Sequence, residues 1–142
     1  MFTREESKKI REAFWIEFGK TYKRKWILYN TKIKEIQLKF TFDTNVAQVS
    51  LDVTANDELI RAYYYERLLA LKNIILSEYL PDAIFEENYV LAEGKVVSRI
   101  YVELQKVNIH SNKDWENVMI FLEDRMNSFE MFFLEYKDYV DQ

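Results

Sequence analysis

The sequence predicts an α+β fold, in which a single antiparallel sheet of about five strands carries helices packed on one face. Apolar residues recur at helical spacing near both ends and in the middle of the 142-residue chain. Between those segments apolar and polar residues alternate, as they do in strands with one buried and one exposed face. Turn-forming residues separate the periodic segments, and the resulting order is αβββαββα. Length and pattern together predict one globular domain over residues 1–142.

The first helix is predicted over about Arg4–Phe18. Thr3 and Glu6 have the T-x-x-E spacing of a capping box, in which each side chain accepts a backbone N–H at the helix start. Gly19 is expected just beyond the helix end, because glycine tolerates the positive φ that helix termini adopt. The apolar residues in between follow at helical spacing, and they are Ile10, Ala13, Phe14 and Phe18.

Three strands are predicted next, joined by polar turns. The first is a short strand over Trp26–Tyr29, with a turn at residues 30–32. In the second, Ile36–Phe42, apolar residues at even positions alternate with polar residues at odd positions. A turn at residues 43–45 leads to the third strand, Ala47–Val53, which alternates in the same way. The alternation predicts one apolar and one polar sheet face.

A second helix and a hairpin follow in the middle of the chain. Asn56 or Asp57 is expected to cap a helix that runs from Glu58 to about Tyr79 and is closed by Pro81. A turn at residues 93–94 then predicts a β-hairpin. Its two strands are expected at Ile84–Ala92 and Val96–Val107.

The final helix is expected to start after a cap at Ser111 or Asn112. It carries a heptad-like apolar stripe of Trp115, Met119, Leu122, Met126, Phe129, Phe133, Tyr136 and Val140. Such a stripe most often covers a sheet. The additional apolar residues Val118, Phe121 and Phe132 make a second use conceivable, as a homodimer or protein-interaction surface.

Several segments resemble a known protein family. Residues 4–6 with Phe14, Trp15 and Phe18–Lys20 resemble its opening helix, and Trp26–Lys34 resembles its first hairpin. Residues 98–104 and 112–115 resemble its last strand and the start of its last helix. The family is the bacterial domain-of-unknown-function family DUF 4268, and the similarity covers essentially the whole chain. The resemblance implies a context rather than an activity, because longer relatives carry the domain behind restriction-endonuclease-like domains.

Composition excludes several classes of chemistry. The chain has no Cys, one His and 2 Gly, so it has no disulfide framework, no Cys/His zinc site and no glycine-rich phosphate loop. We therefore expect a binding domain without a cofactor or a metal, rather than an enzyme. The polar N-terminal segment and the absence of a long apolar run predict a cytoplasmic protein without a membrane span.

The charge distribution points to one candidate binding surface. Residues 1–50 carry 11 Lys/Arg and 6 Asp/Glu, a net charge of +5, whereas the remaining residues carry 9 and 18, a net charge of −9. Cations neutralise phosphates and aromatic rings stack on bases, so a mixed cluster suits single strands or the ends of nucleic acids. The predicted nucleic-acid-binding residues are Lys20, Lys23, Arg24, Lys25 and Trp26, with Lys34 and Lys39 extending the patch. The alternative is a solvated loop whose aromatic residues point into the core.

The polar sheet face is the second candidate surface. Residues four apart on a strand point the same way, so a buried Arg99–Glu103 pair on this face is a candidate ligand site. The candidate residues on this face are Lys39, Asp52, Arg99, Tyr101 and Glu103. The alternative is a hydrated face with cross-strand charge pairs.

A nuclease is the third alternative, because αβββαβ is also the core order of the restriction-endonuclease fold. Such an enzyme needs paired carboxylates for Mg²⁺ and a nearby Lys. Asp43 and Asp52 occupy suitable strand positions, but Thr54 stands where the Lys would be expected. We therefore expect no catalytic residue and rank this alternative last.

Overall fold

A computed structural model describes all residues 1–142 and contains four helices and a four-stranded antiparallel sheet. The strands lie in the order β1-β2-β4-β3, so β1 and β3 form the two edges. The elements are α1 (Arg4–Thr21), β1 (Ile36–Phe42), β2 (Val46–Val53), α2 (Glu58–Leu69), α3 (Lys72–Ile74), a π-helical turn (Ile75–Tyr79), β3 (Ile84–Val90), β4 (Val96–Gln105) and α4 (Asn112–Val140).

The helices pack against the apolar face of the sheet. Residues that pair across antiparallel strands share a face, and the register aligns Leu38, Leu51 and Ile100. The strand residues of the hydrophobic core come from this face alone. Side chains of α1, α2, the π-helical turn and α4 belong to the same core. The polar face, which carries Asp52 and Arg99, therefore points away from the helical layer.

The capping box of α1 is confirmed, but the predicted helix end is wrong. The Thr3 N–H donates to Glu6 Oε1 at 2.8 Å, and the Glu6 N–H donates to Thr3 Oγ1 at 3.1 Å. The helix continues through Gly19 to Thr21, because the Tyr22 N–H still bonds the Phe18 carbonyl at 3.0 Å. Gly19 therefore lies inside the helix and does not provide its end.

The predicted strand at Trp26–Tyr29 is wrong, which reduces the sheet from five strands to four. The Ile27 N–H donates to the side chain of Glu130 at 2.8 Å and not to a neighbouring strand. Leu28 has φ of 48°, in the left-handed region that an extended chain does not use. One bond alone links this loop to the sheet, from the Leu38 N–H to the Leu28 carbonyl at 2.9 Å.

The second helix is shorter than predicted and is followed by irregular helical turns. Asp57 caps α2 as expected, since its side chain accepts the Leu59 N–H at 2.8 Å. The helix ends at Leu69, and the chain then forms α3 and the π-helical turn. The turn closes with the Leu80 N–H on the Ile75 carbonyl, a five-residue step that buries both side chains.

The predicted stripe of α4 lies in the core. Met126, Phe129 and Phe133 are almost fully buried, and so are Phe121 and Phe132, which the sequence left available for a partner. The fold thus uses these aromatic residues internally. No helix combines the length and the apolar character that are needed to cross a lipid bilayer.

Candidate nucleic-acid interface

An open cleft of about 570 Å³ lies between the end of α1, the loop after it and edge strand β1. We call it the aromatic cleft. Aromatic side chains dominate its walls, and three consecutive cations follow them in the loop. The lining residues are Trp15, Phe18, Gly19, Tyr22, Lys23, Arg24, Lys25, Trp26, Leu28 and Phe40. Four of the five residues in the predicted cluster therefore line one concavity, and Lys20 lies on the exposed final turn of α1 beside it.

The aromatic walls hold each other in place. The Trp26 and Phe18 rings are stacked with centroids 5.9 Å apart, and Phe40 meets Trp26 edge-on at 5.3 Å. Phe18 is buried, whereas Trp26 and Phe40 are half-buried and present part of their surface to solvent. The cleft therefore exposes part of the Trp26 and Phe40 rings in a preformed arrangement beside the buried Phe18.

Arg24 is tied to the fold by a buried carboxylate. It forms an ion pair with Glu130 of α4, and its guanidinium carbon lies 3.9 Å from the Trp26 ring centroid. The second oxygen of Glu130 accepts the Ile27 N–H at 2.8 Å. One buried acid thus fixes both ends of the Arg24–Ile27 segment. The Arg24 guanidinium is therefore held over the Trp26 ring, and its charge is partly neutralised by Glu130.

The lysines of the cluster are free to act as cations. Lys20, Lys23 and Lys25 are exposed, and none of them forms an ion pair. The lining of the aromatic cleft contains no carboxylate, although the chain as a whole carries a net charge of −4. The cleft is therefore locally cationic, and a polyanion would meet no repulsion from its lining.

The polar sheet face carries a buried network instead of the expected Arg99–Glu103 pair. Arg99 binds Asp52 through two parallel hydrogen bonds, from Nε at 2.8 Å and from Nη2 at 2.9 Å. Its Nη1 donates to Gln48 at 3.0 Å, and the Gln48 amide donates to Glu103 at 2.9 Å. Asp52 and Arg99 are 0% and 2% exposed, so their charges are satisfied within the fold.

Tyr101 and Tyr89 complete this network. The Tyr101 hydroxyl donates to Glu86 at 2.6 Å, and the Tyr89 ring covers the Arg99 guanidinium at 4.2 Å. Burial, followed by the hydrogen bond to Glu86, raises the pKa of Tyr101 well above the ordinary tyrosine range. Lys39 lies two strands away at the rim of a shallow cleft of about 210 Å³ over Gln48 and Arg99. The polar groups of this face are thus largely bonded to one another.

The two carboxylates of the nuclease alternative are not brought together. Asp43 lies in the β1–β2 turn, where its side chain accepts the N–H groups of Asn45 and Val46. Asp52 lies on β2 six residues beyond Val46, which corresponds to about 20 Å along a strand. No cluster of three or more His, Asp or Glu side chains is arranged to hold a metal ion.

Sequence reasoning missed part of the aromatic cleft. Phe18 and Phe40 were placed on the apolar stripe of their own helix and strand, and Trp15 was given no role in a site. The Trp15 and Phe40 rings are half-exposed because β1 is an edge strand and no further strand covers it, whereas Phe18 is buried at the base of the cleft. The available signal was the surplus of aromatic residues between Phe14 and Phe40.

Comparison with known proteins gives one match. A family model described as a domain of unknown function (DUF4268) matches residues 10–137 of the chain. No match was found among curated proteins or among solved structures. The matched range contains the whole aromatic cleft and Glu130, so the cleft lies within the part of the chain that the family model covers.

Proposed function

We propose that the chain, which belongs to the DUF4268 family of domains of unknown function, is a non-catalytic binding domain for single-stranded nucleic acid. The aromatic cleft is the proposed binding site. The observation that carries the proposal is the concave aromatic surface of the half-buried Trp26 and Phe40 beside exposed, unpaired lysines. Lysines attract the phosphates without regard to sequence, and the rings stack on bases.

A single strand fits the cleft better than a duplex. Bases inside a duplex are stacked on each other and do not present their faces to a protein. The cleft offers aromatic faces within a concavity and no helix or ribbon that would enter a groove. The family resemblance adds a context, in which the domain serves as an accessory module of proteins that process nucleic acid or act in defence.

Fluorescence anisotropy with labelled single- and double-stranded DNA and RNA of the same length tests the proposal. We expect tighter binding to single strands, and affinity that falls as salt rises. Each phosphate contact contributes a slope of about −0.7 on a log–log plot for single strands. Contacts from Lys20, Lys23 and Lys25 therefore predict a slope of about −2.

A matched pair of variants assigns the binding to the cleft. The double variant Lys23→Gln with Lys25→Gln is expected to weaken binding. It should also reduce the magnitude of the salt slope by the contribution of about one to two phosphate contacts. Lys8→Gln with Lys9→Gln removes two exposed lysines near the opposite end of α1 and is expected to leave both unchanged. Equal effects of the two pairs would refute the assignment, and no binding by the wild-type chain at low salt would refute the proposed function.

A further inference from the structure

A second cleft continues the aromatic cleft along the edge of the sheet. It has a volume of about 330 Å³, and we call it the Tyr29 cleft. Its lining residues are Trp15, Leu28, Tyr29, Gln37, Leu38, Lys39 and Phe40. Trp15, Leu28 and Phe40 line both clefts. The two concavities therefore form one groove beside β1, with the Trp15 and Phe40 rings between them.

Tyr29 is 83% exposed, yet the loop that carries it is firmly held. The buried Thr31 hydroxyl oxygen lies 2.8 Å from the Ile33 carbonyl and 2.7 Å from the Ile36 carbonyl, so its single proton is donated to one of them or shared between them. On the other side of Tyr29, the Leu28 carbonyl accepts a hydrogen bond from β1. These bonds offset the left-handed conformation of Leu28, which costs about 1 kcal/mol for a residue with a side chain. The fold thus holds an aromatic ring in water.

The polar residues of the Tyr29 cleft suit the same class of ligand. Lys39 forms no ion pair, and the Gln37 amide forms no hydrogen bond within the chain. An unpaired amide can bond the edge of an unstacked base. The lining contains no carboxylate, as in the aromatic cleft. A free lysine and the absence of carboxylates favour an anionic strand as the ligand over a basic or neutral partner.

We propose that the Tyr29 cleft is a second stacking subsite, which binds the neighbouring nucleotide of the single strand held in the aromatic cleft. The Tyr29 ring stacks on that base, Lys39 neutralises a phosphate and Gln37 bonds the base edge. The proposal rests on the proposed function. It adds a path for the bound strand, which runs along the groove between the Lys23–Trp26 loop and Lys39.

Oligothymidylates of increasing length, from a single nucleotide to about eight, test the second subsite. Wild-type affinity is expected to rise once an oligomer can fill both clefts. Tyr29→Ala is expected to weaken binding of the longer oligomers about 5- to 100-fold, which is the range for one stacked base, and to leave the mononucleotide unaffected. Tyr29→Phe retains the ring and is expected to bind as the wild type does.

The controls separate the two proposals. Leu59→Ala alters a side chain that is equally exposed but belongs to neither cleft, and it is expected to change nothing. Unchanged binding of long oligomers by Tyr29→Ala, with weakened binding by the Lys23/Lys25 pair, overturns the second subsite alone. An equal loss for the mononucleotide and the long oligomers also overturns it. No binding by the wild-type chain overturns both proposals.

Discussion

At the scale of single residues, Glu130 links the core to the aromatic cleft. It is 5% exposed and lies on α4, and it reaches across the structure to Arg24 and to the Ile27 N–H. A buried carboxylate needs partners, since desolvation of a charge is costly. The cost is met here by an arginine and a backbone donor. The position of Trp26 therefore depends on a residue that lies outside the cleft.

Glu130→Gln tests this dependence. Glutamine keeps the shape of the side chain but removes its charge. Its NH2 group then faces a hydrogen-bond donor, either the Arg24 guanidinium or the Ile27 N–H. We expect the free energy of unfolding to fall by about 1–3 kcal/mol, as for hydrogen bonds to charged groups. Oligonucleotide affinity is expected to fall as well, because Arg24 and Trp26 lose their anchor. Urea unfolding and fluorescence anisotropy measure the two effects.

Glu135→Gln is the matched control, because it makes the same change at an exposed position of α4. It is expected to alter stability by less than about 0.5 kcal/mol. If Glu130→Gln left both stability and affinity at the level of this control, Glu130 would not anchor the loop.

At the scale of elements, the segment between α1 and β1 replaces a strand. Thr31 is 1% exposed, and its hydroxyl also accepts the Ile33 N–H at 3.1 Å, which gives it three backbone contacts. One side chain therefore satisfies backbone groups that a ladder would otherwise satisfy. The segment keeps a fixed shape without a strand neighbour.

Thr31→Val removes the hydroxyl and conserves the shape of the side chain. We expect it to lower the free energy of unfolding by about 1–3 kcal/mol, because buried backbone groups lose their partner. It should also weaken the binding of long oligothymidylates more than the binding of a mononucleotide, because the loop that carries Tyr29 loses its support. Thr31→Ser keeps the hydroxyl and is expected to retain most of the stability. Similar urea midpoints for the two variants would contradict this account.

The elements that the sequence predicted well are those whose signals are local. The alternation in Ile36–Phe42 and the capping box at Thr3 depend on neighbouring residues, and both were confirmed. The Trp26–Tyr29 strand failed because its competing partner, Glu130, lies 103 residues from Ile27. The partner of Arg99 was missed for the same reason, since Asp52 lies opposite it on β2 and no spacing within β4 encodes that register.

At the scale of the whole molecule, the charge asymmetry of the sequence becomes a spatial asymmetry. Helix α1, the loop after it and the edge strand β1 line the two clefts, whose linings contain no acid. The acidic residues of the second half lie mainly on other elements, such as α4. A net charge of −4 thus coexists with a cationic groove. Net charge alone would have argued against a nucleic-acid ligand.

We expect the whole molecule to be sensitive to alkaline pH, because several of its tyrosines are buried or half-buried. Burial is the largest cause that raises the pKa of Tyr64, Tyr65, Tyr79 and Tyr101 above the ordinary value of 10.0. Below pH about 10 these phenols are neutral in both states and stability is unaffected. Above pH about 10 the unfolded chain loses protons that the folded chain retains. Unfolding therefore becomes easier as pH rises.

We expect the free energy of unfolding to decrease above pH about 10 by about 1.4 kcal/mol per pH unit for each phenol that ionises only on unfolding. Urea midpoints measured by circular dichroism between pH about 8 and about 11 give this slope. Tyr101→Phe should reduce the slope by one such phenol, whatever it does to stability at neutral pH. A slope that is the same in Tyr101→Phe and in the wild type would contradict the burial of Tyr101 as the cause.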